Sequence, residues 1–167
     1  MPRVIPSLDQ LYKRIPWERN VSSESRAAAL RTASLWQGRE FLLLHVDATK
    51  PTHTVADGVV SAITVINASI TEEILAGFFG YSEGVNLERS GLSALSIRAL
   101  DHGLIGAATF GEIDDLRNAR NEIAHADRSR TANVTSTPLD SKEVAARAHS
   151  RVPTKVAREL RTARLQT

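Results

Sequence analysis

Asp114-Asp115-Leu116-Arg117-Asn118-Ala119-Arg120-Asn121-Glu122-Ile123-Ala124-His125 is the stretch on which the reading of the fold turns. On a helix of about 3.6 residues per turn, Ile113, Leu116, Ala119, Ile123 and Ala124 cover one arc, and Arg120 points into the middle of it. A guanidinium set among apolar side chains needs a partner or a ligand. Glu72, Glu73 or the carbonyls that end another helix would supply the partner, with His125 capping the end of its own helix. Arg117, Asn121 and His125 follow at i, i+4 and i+8 and form a polar strip beside Arg120. Such a strip can hold an anion or face a second copy of the chain. Thr109-Phe110-Gly111-Glu112 has the T-x-x-E form of a capping box and predicts where this helix starts.

Upstream, Leu92, Leu95, Ala99 and Leu100 predict a shorter helix that stops near His102-Gly103, with the glycine as its C-terminal cap. From Val55 onward, Val59, Ile63, Ile66, Ile70, Ile74 and Gly77 recur at helical spacing, in a run too long for a strand despite its β-branched residues. This is the expected central helix. It contains Asp57, Asn67, Glu72 and Glu73, which a lipid-facing span would tolerate poorly, so it is read as a core helix and no membrane partner is expected. Before it, an alanine-rich helix follows Ser22 to Ser25 and runs through Leu30, Leu35 and Leu42 to about Val46, and Asp47 to Thr54 reads as a loop. Ser7 and Gln10 form an S-x-x-Q capping box ahead of Leu8, Leu11, Tyr12 and Ile15, a short helix that Pro16 ends. Beyond the quoted stretch, Pro138 to Ser150 and Thr154 to Leu165 read as a closing helix and a basic tail, parted by Val152-Pro153.

These elements predict an all-α protein, an antiparallel bundle of four to five helices. A length of 167 residues suits one domain. It divides into an N-terminal arm with a short helix (1–25), the bundle (26–150) and a basic C-terminal helix or tail (151–167). With only 5% aromatic residues, the core must be filled by aliphatic side chains and alanine. Trp17 and Trp36 are assigned to packing rather than to stacking on bases.

The chain has no cysteine, which excludes disulfides and thiolate metal sites and is compatible with a reducing compartment. Met1 to Pro16 lacks the apolar run of a signal peptide, so a cytoplasmic location is expected. The net charge of +2 is uneven: residues 128–167 hold nine Lys and Arg against three acids, or +6, leaving −4 for residues 1–127. The basic end is a candidate contact for nucleic acid or an acidic partner. His45, His53, His102 and His149 lack the spacing of a metal site. No nucleophile elbow, P-loop or dinucleotide-binding loop is present. No metal or cofactor is expected.

Leu104-Ile105-Gly106, Asp115-Leu116-Arg117 and Arg120-Asn121-Glu122-Ile123-Ala124-His125 together resemble the motif of HEPN-superfamily domains, L-G-L-I, then D-L, then R-N-x-φ-A-H, where φ is apolar. The pattern looks most like the branch containing the mannitol operon repressor family, in which an earlier helix carries a run similar to Ile70-Thr71-Glu72-Glu73-Ile74-Leu75. The resemblance covers about residues 55–127 and is specific at Arg120-Asn121 and Ala124-His125. It implies a HEPN-like bundle that forms a homodimer and brings two Arg-x4-His pairs into one cleft. Many such proteins are metal-independent endoribonucleases, some in toxin and antitoxin or defence settings. On that reading His125 transfers the proton and Arg120 grips the phosphate, with Asn121, Arg117 and Glu122 supporting them or contacting RNA. Some toxins of this kind carry a tyrosine two residues after the histidine, which a partner enzyme modifies; Asp127 stands there instead, so that control is not expected. The rival reading is a non-catalytic regulatory or interaction module, like the mannitol repressor, that binds a protein, such as an antitoxin or regulator, or nucleic acid.

Overall fold

Ser7 opens the first helix, α1 (Leu8–Tyr12), through the expected reciprocal cap: Gln10 N–H donates to Ser7 Oγ at 3.2 Å, and Ser7 N–H donates to Gln10 Oε1 at 2.9 Å. The computed structural model describes residues 4–49, 53–85, 90–129 and 149–166. Among them the chain is all-helical, continuing with α2 (Ser23–Thr49), α3 (His53–Ser82), α4 (Leu92–Asp101), α5 (Ala107–Ser129) and α6 (Val152–Arg164). The helix expected over Pro138 to Ser150 lies outside the described residues, apart from His149 and Ser150.

α2 starts at a second reciprocal cap, in which Ser25 N–H donates to Ser22 Oγ at 3.1 Å and Ser22 N–H donates to Ser25 Oγ at 3.2 Å. Beside it, hydrogen bonds from its own backbone N–H and from the Ser22 and Ser23 hydroxyls hold the Glu24 carboxyl below its usual range. α2 runs three residues past Val46, to Thr49, and α3 begins inside the expected loop, at His53. The two helices lie antiparallel: Arg39 meets Asn67, and Leu43 shares a small apolar cluster with Val60 and Ile63.

α3 is the axis of the bundle, touching α2, α4, α5 and α6. Its Gly58–Ser82 stretch is long and apolar enough by length and composition to cross a membrane, and half of it is buried inside the fold. Ile70, Ile74, Leu75, Phe78 and Phe79 join Trp36 of α2, Leu95 of α4, Ile113 of α5 and Leu160 of α6 in one core. Both tryptophans are packed inside. The Trp17 ring lies on α3 at Gly77, where an added Cβ would come within 2.6 Å of it, so close packing fixes that glycine.

α4 ends as expected at Gly103, whose φ is +65°. Leu104 N–H reaches back to Ala99 O at 2.9 Å and Gly103 N–H to Leu100 O at 2.9 Å, a Schellman ending that only a left-handed residue closes without strain. The start of α5 differs from the expectation. The helix begins at Ala107, and Thr109, already inside its first turn, is buried and donates through Oγ1 to Glu159 Oε1 of α6 at 2.6 Å. Glu159 Oε2 also accepts from Gly106 N–H at 3.1 Å. A carboxylate from another helix thus fills the role predicted for Thr109 itself, and Glu112 instead pairs with Lys155 at 2.7 Å. These contacts set α6 antiparallel to α5.

Candidate functional site

α5 positions every residue of the Arg-x4-His motif. Its early turns are anchored: Ile113 and Leu116 are buried, and Glu159 holds Gly106 and Thr109. The apolar arc then fades. Ala119 and Ile123 are half-buried, and Ala124, expected on the arc, is exposed. The later turns of α5 therefore keep one side on the bundle and offer the rest to solvent.

Arg120 lies where that arc runs out. Its Nη1 donates to Glu72 Oε2 of α3 at 2.9 Å, and the two side chains are 30% and 34% exposed. The partner is one of those the apolar setting called for, but the pair sits at the edge of the core rather than inside it. Only Nη1 is engaged, so the other guanidinium nitrogens hold no partner among the described residues.

Arg117 is held from two helices. Its Nη2 meets Asp114 Oδ1 at 2.8 Å and its Nη1 donates to Ser93 Oγ of α4 at 2.9 Å. Its Nε is buried with no hydrogen-bond partner among the described residues. Asp114 stands at i−3, a spacing that sets opposite charges side by side on a helix; nothing in the sequence singled out Ser93. Asn121 and His125 are exposed, and neither side chain has a polar contact among the described residues. Asn121 and His125 face outward, whereas Arg117 is only 29% exposed and leans on α4 through Ser93.

The structure does not bring Arg120 and His125 together within one chain. Five residues at about 100° each place them roughly 140° apart around α5 and about 7.5 Å apart along it. Glu122 lies farther still, about 160° round from Arg120. It lines a cavity of about 680 Å³ between α3, α5 and the start of α6, with Thr64, Asp115, Asn118, Ser150 and Arg151. That cavity is a separate feature from the strip. Among the described residues no group of three His, Asp or Glu side chains is placed to hold a metal ion.

The chain matches no family model, no curated protein and no solved structure with which it was compared.

Proposed function

We propose that the chain is a HEPN-like bundle, two copies of which meet across α5 to form a metal-independent RNA-cleaving site. The observation that carries this reading is the disposition of Arg120 and His125: both reach solvent, yet they stand on different sides of one rigid helix. A second α5 packed against the first supplies the missing half, setting Arg120 of one copy across from His125 of the other. Glu72 orients Arg120 through Nη1 and leaves its other nitrogens for a phosphate, which a guanidinium grips bidentately. Asn121, exposed between Arg117 and His125, is placed to contact the RNA or to steady the partner.

The chemistry follows from those groups. A base removes the proton of the RNA 2′-hydroxyl, the oxygen attacks the adjacent phosphorus, and the bond to the 5′-oxygen breaks as that oxygen takes up a proton. The products are a 2′,3′-cyclic phosphate and a free 5′-hydroxyl. His125 transfers a proton, and Arg120 stabilises the charge that gathers on the phosphate oxygens. The test is incubation of the protein with single-stranded and structured RNA in EDTA. Wild type cleaves, and His125→Ala loses activity by about a hundredfold or more. Cleavage that survives both His125→Ala and Arg120→Ala removes the assignment.

A second reading is favoured by the Glu72 contact itself, which accounts for Arg120 without any ligand. In that case the strip of Arg117, Asn121 and His125 docks a regulatory protein or nucleic acid without catalysis. RNA bound but uncleaved by the wild type, with binding lost in Asn121→Ala, would support it.

A further inference from the structure

α6 turns Val152, Pro153, Val156, Ala157 and Leu160 into the core. Its other side is a row of cations. Arg151, which precedes the helix, and Thr154, Arg158, Arg161 and Thr162 are exposed, and at about 100° per residue they share an arc of roughly 100°. No carboxylate lies on that arc, because Glu159, the only acid of α6, is turned inward to Gly106 and Thr109. Of the acids around the row, Asp9 pairs with Lys13, Glu18 with Arg164 and Glu112 with Lys155, while Asp115 and Glu122 line the α5 wall of the cavity that Arg151 borders. The side chains of Arg151 and Arg158 have no partner among the described residues. Arg161 Nη2 donates to Lys13 O at 2.8 Å, which sets the exposed Lys13 and Arg14 beside the end of the row.

We propose that this row is a nucleic-acid binding surface that grips the phosphate backbone without reading sequence. From Arg151 to Arg161 it spans about 15 Å, the rise of about four base pairs. Its cations are arginines, whose forks match phosphate oxygens, and the interleaved Thr154 and Thr162 hydroxyls can donate to the same oxygens. A bilayer is a poorer fit, since an interfacial helix inserts its apolar side and that side of α6 is committed to the core. An acidic protein is a poorer fit as well, for the row has no large apolar anchor between the arginines. The surface lies on α6 rather than α5, so the inference stands or falls apart from the cleavage proposal.

The test uses DNA, which lacks the 2′-hydroxyl and cannot be cut by the chemistry proposed for α5. Fluorescence anisotropy with 20-nucleotide strands of unrelated sequence and with the matching duplexes should show binding that hardly depends on sequence and weakens steeply with salt. Replacing Arg151, Arg158 and Arg161 together by Gln should reduce the slope of log K against log salt by about 2, at 0.7 to 0.9 per phosphate contact. The Lys triple should keep most of the slope, and thermal unfolding of the Gln triple should stay close to wild type, because all three side chains are exposed and only the solvent-exposed bond from Arg161 to Lys13 O is lost. Absence of DNA binding by the wild type, a slope unchanged in the Gln triple, or binding to phosphatidylserine vesicles in place of DNA would each overturn the proposal. DNA binding that persists in a cleavage-dead His125→Ala protein supports it.

Discussion

Arg120 of α5 donates to Glu72 of α3 across 2.9 Å, at the edge of the core where both side chains keep about a third of their surface in solvent. A pair so placed contributes little to stability, and a double-mutant cycle between Arg120→Ala and Glu72→Ala should give a coupling of about 1 kcal/mol or less. On the proposed function its larger consequence is orientation. Glu72→Ala should lower RNA cleavage while leaving the denaturant midpoint nearly unchanged, and Glu72→Gln, which can still accept from Nη1, should retain more activity. A coupling of several kcal/mol would mark the pair as a structural bridge instead.

Gly77 makes room for Trp17. An alanine there would place its Cβ about 2.6 Å from the indole, so Gly77→Ala should destabilise the fold by about 1 to 3 kcal/mol in urea unfolding. The same change in a Trp17→Leu background should cost less, because the rigid ring that it strikes is gone.

Glu159 closes the start of α5 from α6. Glu159→Ala leaves the Thr109 hydroxyl and the Gly106 N–H without their acceptor, and the loss expected from equilibrium unfolding is about 1 to 3 kcal/mol. Glu159→Gln should recover part of it through the remaining carbonyl oxygen. Because Thr109 and Gly106 lie more than ten residues before Arg120, cleavage in the folded variant should remain close to wild type.

Arg39 is almost fully buried and joins three segments: it pairs with Glu40, donates through Nε to Asn67 Oδ1 at 2.6 Å and through Nη2 to Ser150 O at 2.6 Å. Removing it strands the poorly exposed Glu40 carboxylate, the buried Asn67 oxygen and the half-buried Ser150 carbonyl. Arg39→Ala should cost about 3 to 5 kcal/mol. Limited proteolysis should then cut at the start of α6 sooner than in wild type.

Much of the helical layout was legible because it rests on local chemistry. Helical spacing marked α3 and α5, the Ser7–Gln10 box marked α1, and Gly103 marked the end of α4. What escaped was settled between helices. The Thr109-x-x-Glu112 box was misread because an acid 50 residues later takes the capping role, and no local pattern encodes that. Ala124 fits the apolar arc by spacing, yet it is exposed, because local spacing does not encode which part of an arc the neighbouring helices cover. At the site, the polar strip was legible from periodicity and Glu72 was one of several partners the sequence offered Arg120, whereas Ser93 enters only because α4 packs beside Arg117. The basic C-terminal end was legible as a charged helix or tail; the single-sided row appears only once the burial of Val156 and Leu160 fixes how α6 is turned.

In the proposed dimer each cleaving site takes Arg120 from one copy and His125 from the other. Arg120→Ala and His125→Ala proteins, each inactive alone, should be mixed in equal amounts, allowed to exchange subunits and assayed on RNA in EDTA. Random pairing gives half mixed dimers, each with one intact site of two, so the mixture should recover about a quarter of the wild-type rate. A mixture as inactive as its two components, with exchange verified, would rule out a site shared between copies.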